Sequence, residues 1–228
     1  MTEYSKSAAP VLTIDGPSGA GKGTLSQLMA SHLGWHFLDS GALYRLAALS
    51  ALNHGVDLES ATDVATVAEH LDIHFDPQSG RVLLEGDDVT RVLRTEETGA
   101  AASRVAAHNE VRKALLERQR AFRTPPGLVA DGRDMGTVVF PDAELKIFLT
   151  ASAEERARRR LAQLAESGSD ADYASILADV QARDERDRNR AESPLVPADD
   201  AETVDSTHLS IEKVLDAILE KARARNLL

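Results

Sequence analysis

Short apolar runs alternate with amphipathic stretches along this chain. Val11-Leu12-Thr13-Ile14 has the unbroken apolar character of a strand buried on both faces. Leu25, Leu28, Met29 and Leu33 recur at helical spacing, and Gly34 is placed to stop that helix. Trp35-His36-Phe37-Leu38 reads as a second strand. It is followed by a helix from Ala42 to Asn53 with an apolar stripe of Leu43, Leu46, Ala47, Leu49 and Leu52. Leu128-Val129-Ala130 and Leu145-Lys146-Ile147-Phe148-Leu149 are the third and fourth core strands, and Glu202-Thr203-Val204-Asp205 is a last one. Strands alternating with helices predict an α/β core with a parallel sheet and right-handed crossovers.

Between about Val56 and Val105 the pattern changes. Ala61 to Leu71 reads as a short helix. Asp72–Phe75 and Arg81–Glu85 alternate like antiparallel strands joined through Pro77-Gln78-Ser79-Gly80, and Glu85-Gly86-Asp87-Asp88 is a further turn. Thr95 begins a helix to about Ala107, and a second runs from Asn109 to Phe122. Further on, Ser152-Ala153-Glu154-Glu155 is a capping box opening an arginine-rich helix, which gives way at Glu166–Asp170. Tyr173 to Arg190 is helical again, and Ser210 caps a C-terminal helix.

Composition sets the outer bounds. The chain has 228 residues, 43% of them hydrophobic, enough for a substantial core. No apolar stretch is long enough to cross a bilayer, and Met1 to Pro10 lacks the apolar segment of a secretory signal. The absence of cysteine excludes disulfides and thiolate metal sites, and a soluble cytoplasmic protein is expected. A formal net charge of −11 argues against a nucleic-acid partner. The cations are unevenly chosen, 20 Arg to 6 Lys. Arginine is the better donor where a phosphate must be held by a planar fork, so a small phosphorylated ligand fits this composition.

The strongest local signal is Gly16-Pro17-Ser18-Gly19-Ala20-Gly21-Lys22-Gly23-Thr24, lying between the first strand and a helix that starts at Lys22. Glycines let the backbone curl around an anion with its N–H groups inward, and the helix N-terminus and Lys22 add positive charge. Gly23 stands where many phosphate loops carry a magnesium-binding hydroxyl, and the hydroxyl follows at Thr24; this form resembles nucleoside monophosphate kinases. Two more charged groups belong to the same sheet edge by topology. Asp39-Ser40 ends the second strand and Asp131-Gly132-Arg133-Asp134 ends the third. Taken singly, Ser40 is a helix cap and Arg45 a surface charge. Arg183–Arg190 is open to two readings: a solvated helix laced with i,i+4 pairs, or an anion-binding face, since the like charges Arg186 and Arg190 need an anion between them.

Together the phosphate loop, Leu38–Arg45, Asp131–Pro141 and Arg186–Arg190 resemble the bacterial cytidylate kinases, in order from about Val11 to Lys213. The resemblance implies a three-layer P-loop kinase core, a parallel sheet flanked by helices, forming a single domain over residues 1–228. It adds a small α+β insert for the nucleoside monophosphate at about 56–105 and a short lid at about 156–173. It places the ATP phosphates on Gly16, Pro17, Ser18, Gly19, Ala20, Gly21, Lys22, Gly23 and Thr24. The acceptor 5′-phosphate falls to Ser40, Arg45, Arg133 and Arg190, the cytosine edge to Ser103, Arg112 and Asp134, and the sugar hydroxyls to Arg183 with Asp187. Arg156, Arg159 and Arg160 resemble lid cations, and Lys22, Arg133, Arg190 and Arg159 would act in the transfer itself. Mg2+ would arrive with ATP, with no protein ligand assigned. The implied partners are ATP and CMP or dCMP, without nucleic acid or membrane, and the implied state is a monomer. Asp134 also has a physical argument: a carboxylate accepts from the exocyclic amino group that cytosine has and uracil lacks. Other acceptors, UMP, AMP or shikimate, remain open on the residues alone. A guanine-reading switch does not, because no Asn-Lys-x-Asp occurs.

Overall fold

In the computed structural model, which describes residues 9–76, 79–166 and 170–228, the chain divides into two compact units. The first comprises residues up to Leu38, Arg120–Asn189 and Ser193–Leu228, and the second Asp39–Gln119 with Arg190–Glu192.

The first unit is built on a five-stranded sheet. Its strands are β1 (Val11–Asp15), β2 (His36–Asp39), β6 (Leu128–Gly132), β7 (Leu145–Thr150) and β8 (Glu202–Asp205), in the order β2-β6-β1-β7-β8. β1 pairs in parallel with β6 and β7, and β7 in parallel with β8. Every residue of β1 and β6 is buried, the apolar Val11, Leu12, Ile14, Leu128, Val129 and Ala130 together with Thr13, Asp15, Asp131 and Gly132. Helices α1 (Lys22–Leu33) and α8 (Ile211–Ala224) set Leu25, Met29, Val214, Ile218 and Ala222 against Leu12, Ile14, Leu145 and Ile147. Helices α6 (Ala153–Glu166) and α7 (Tyr173–Arg188) pack on each other. Gly34 ends α1 at φ +66°, receiving the C-cap role its position predicts. Residues 167–169, part of the expected lid, lie outside the described residues.

The second unit carries α2 (Ser40–Asn53), α3 (Ala61–Glu69), α4 (Glu96–Val105) and α5, assigned Asn109–Arg120, with an antiparallel sheet β3-β4-β5. That sheet is made of Ile73–Phe75, Val82–Leu84 and Asp87–Asp88. The stretch expected to be one turn, Glu85–Asp88, therefore contains a strand. The reversal is confined to Glu85 and Gly86, both at positive φ, which frees Asp87 and Asp88 to pair with Leu84 and Leu83. Ser40 is not a cap: Asp39 takes that place, its Oδ1 accepting from Ala42 N at 3.1 Å, and Ser40 is the first helical residue. Ser210 caps its helix as expected, accepting from Lys213 N, and Thr95, expected only to begin a helix, caps α4 by accepting from Thr98 N.

Candidate active site

β1 runs into the glycine-rich loop and α1 begins at Lys22, so the loop leaves the C-terminal edge of the sheet. β6 is its parallel neighbour, with Asp15 beside Gly132, so Asp131–Asp134 leave the same edge next to it. Glycine is required at Gly16: a Cβ there would lie 1.9 Å from the Leu149 carbonyl oxygen of β7. Gly19 and Gly21 hold φ +78° and +95°, the left-handed region that turns the loop back on itself.

The carbonyls of this loop are held by donors around it. Lys22 Nζ donates to Pro17 O at 2.8 Å, Arg156 Nη1 to Ser18 O at 3.0 Å, and both Arg159 Nη1 and Ser206 Oγ to Ala20 O at 3.3 Å. The Lys22 ammonium is buried, 3.9 Å from Asp131 Oδ1. Burial pushes it down to about 7; the Arg133 charge pushes the same way, Asp131 opposes it, and Arg183 adds to the lowering. Asp15, at the end of β1, accepts from the N–H groups of Met135 and Gly136, each at 2.8 Å. Burial raises it to about 7 against those two hydrogen bonds, with the charges of Asp134 and Asp131 adding to the rise.

These values carry a sign for nucleotide binding. At pH 8 a lysine titrating near 7 is neutral in most free molecules, and a polyphosphate beside it favours the ammonium. The same anion disfavours the Asp15 carboxylate, so both groups move toward protonation. ATP binding at pH 8 is expected to take up on the order of one proton. Calorimetry in buffers of different ionisation enthalpy measures this; zero uptake or net release would contradict the Lys22 environment.

Arg133 is turned onto α7, its Nε donating to Asp187 Oδ2 at 2.9 Å and its Nη1 to Gly132 O at 3.1 Å. Asp134 is buried and opens a π-helical turn, Met135–Val139, whose first two N–H groups are those taken by Asp15. Of the expected acceptor residues, Arg133, Asp134, Arg183 and Asp187 thus belong to the first unit, with the phosphate loop. Ser40, Arg45, Ser103, Arg112 and Arg190 belong to the second. There Arg45 Nη1 donates to Leu93 O at 2.6 Å, and Arg112 lies over the Tyr44 ring, 5.7 Å from its centroid. The Ser103 hydroxyl is buried without a hydrogen-bond partner among the described residues, so its donor and acceptor are free for a ligand.

Two of the arginines expected in the lid have partners within the first unit. Arg156 is 2% exposed and paired with Asp184 of α7 through Nη1–Oδ1 at 2.9 Å and Nη2–Oδ2 at 2.5 Å. Arg159 is held by Glu155, Ser206 and Ala20. Asp15, Asp184 and Ser206 join the loop's surroundings without figuring among the expected residues. Asp15 had a signal, a carboxylate directly before Gly16. The other two depend on partners far away in sequence.

A parallel sheet with a strand, a glycine-rich loop and a helix starting at lysine defines a phosphate-loop α/β protein. The family model described as cytidylate kinase matches residues 12–224. A cytidylate kinase from Pseudomonas paraeruginosa is 61% identical over 216 residues, 93% of this chain and 94% of that protein. Those from Aeromonas hydrophila, 60% over 216 residues, and Stutzerimonas stutzeri, 61% over 222, cover 94% and 96% of this chain and 94% and 97% of their own. The chain belongs to the cytidylate kinase family.

Proposed function

We propose that this protein transfers the γ-phosphoryl group of ATP to CMP or dCMP, giving ADP and CDP or dCDP. The observation that carries the proposal is the adjacency, on one sheet edge, of the phosphate loop with Lys22 and the Asp131–Asp134 turn with Arg133. The acceptor is a phosphate oxygen whose second pKa is about 6, so it is already ionised at neutral pH and needs no general base. The task is to neutralise and align two polyanions that repel each other. Lys22 and the loop N–H groups hold the donor. Arg133, with Ser40, Arg45 and Arg190, holds the acceptor phosphate; Asp134, Ser103 and Arg112 hold the base; and Arg183 and Asp187 hold the sugar.

No group of three His, Cys, Asp or Glu side chains among the described residues could hold a metal by itself. The buried Asp131 carboxylate beside Lys22 nevertheless fits a magnesium ion that arrives on ATP, because Mg2+ takes most of its ligands from phosphate oxygens and water. When bound, the ion would neutralise charge on the phosphates, and Asp131 is the residue that would hold it there. The reading places the enzyme in the cytoplasm as a monomer. No helix among the described residues is long and apolar enough to cross a membrane.

An ADP-release assay with ATP against CMP, dCMP, UMP, AMP and shikimate tests the proposal. The highest kcat/KM values are expected for CMP and dCMP; a preference for AMP or shikimate would overturn it. Within the same assay, Asp134→Ala should narrow the CMP-over-UMP ratio by on the order of tenfold, within the roughly 1–3 kcal/mol that a well-made contact to a base edge supplies. An unchanged ratio would remove Asp134 from base recognition.

A further inference from the structure

The phosphate loop is clasped from outside by a buried arginine, and this arrangement assigns Arg156 a task. Its side chain is 2% exposed, and two backbone carbonyls and a carboxylate surround the guanidinium. Nε donates to Ala151 O at 3.0 Å, just past the end of β7. Nη1 donates to Ser18 O at 3.0 Å within the loop. The two terminal nitrogens fork onto the buried Asp184 carboxylate. The aliphatic stem also lies against the loop: a Cβ on Gly19 would sit 3.3 Å from Arg156 Cβ.

In a trans peptide the carbonyl of one residue and the N–H of the next point in opposite directions. Drawing the Ser18 carbonyl outward onto Arg156 therefore turns the Gly19 N–H to the other side of the loop. The Ala20 carbonyl, held by Arg159 and Ser206, does the same for the Gly21 N–H. Glycines 19 and 21 are conformationally permissive, so without such anchors these peptide planes are free to flip. We propose that Arg156 is a positioning residue for the donor nucleotide. It touches no phosphate; it fixes the peptide between Ser18 and Gly19 so that the loop meets ATP already arranged. Asp184 holds Arg156 in place, and since α7 also carries Asp187, the partner of Arg133, one helix steadies both groups.

The inference rests on ATP binding at the phosphate loop, and the experiment separates the two. Arg156→Lys keeps the positive charge beside Asp184 but has a single ammonium, which cannot span Ser18, Ala151 and Asp184 together. ATP affinity is measured by calorimetry without acceptor, CMP affinity and both KM values alongside. The expected result is ATP binding weaker by roughly tenfold, CMP binding and KM for CMP within about twofold, and a far-ultraviolet spectrum unchanged. As a second variant, Arg156→Gln with Asp184→Asn replaces the buried ion pair by a neutral couple of similar shape. It should show the same ATP-selective loss. Arg158→Gln, on the exposed side of the same helix, should bind ATP as the parent does. ATP affinity unchanged in whichever variant folds, or ATP and CMP affinities falling together, would overturn the positioning role. A parent protein that binds no ATP would instead sink the underlying reading.

Discussion

Replacing Lys22 with alanine is expected to lower kcat by on the order of a thousandfold, the scale seen when one fixed electrostatic donor is removed from a reacting centre. The reason is local. The ammonium is buried at the start of α1, tied to Pro17 O and 3.9 Å from Asp131, so its position is set before any nucleotide arrives. The helix is anchored in the core by Leu25, Met29 and Ala30. The fold should therefore survive, and removing a buried charge that burial already pushes toward neutrality should change stability little. Steady-state kinetics paired with thermal unfolding separate the two effects. Near-normal turnover, or a protein that simply unfolds, would contradict this role.

The second large effect is opposite in kind. Gly16→Ala places a methyl group 1.9 Å from the Leu149 carbonyl oxygen, which is strand backbone and not a side chain that can swing aside. It also demands φ +150° from a residue with a Cβ. Either β7 moves or the loop does. Strain and overpacking of this order cost on the order of 3 kcal/mol or more. Chemical denaturation should show that loss, and ATP binding should disappear even in the fraction that folds. A variant with parental stability would mean that the loop does not lie where it meets β7. The contrast between the two positions separates chemistry from architecture: one side chain is expected to act on the ligand, one missing side chain makes room for the backbone.

Much of this arrangement is legible in the chain. The run Val11–Ile14, the glycines and Lys22 together announce strand, loop and helix, and α1 begins at the lysine as expected. The cap at Ser210 and the helix start at Thr95 follow from local hydrogen-bonding chemistry and are equally visible. What escapes is set by distance. Arg156 sits in a run of four arginines within five residues, and nothing local picks it out, because its partner Asp184 is 28 positions on, in another helix. The π-helical turn at Met135–Val139 has no periodicity of its own. Asp15, 120 positions earlier, shapes it by capturing two of its N–H groups, and no local pattern encodes that capture. Ser40 illustrates a smaller slip: Asp39 and Ser40 are both good caps, and the carboxylate one residue earlier takes the place.

Three of the expected acceptor-phosphate ligands, Arg45, Arg133 and Arg190, are separated by up to 145 positions in the chain, so their common task is the proposal's most exposed point. A crystal structure with a bisubstrate analogue, adenosine and cytidine joined through their 5′-phosphates, puts it to the test. The account predicts Lys22 and all three arginines within hydrogen-bond distance of phosphate oxygens, with Asp134 facing the cytosine amino group. An analogue bound elsewhere, or held at the phosphate loop with those arginines turned away from every phosphorus atom, would contradict it.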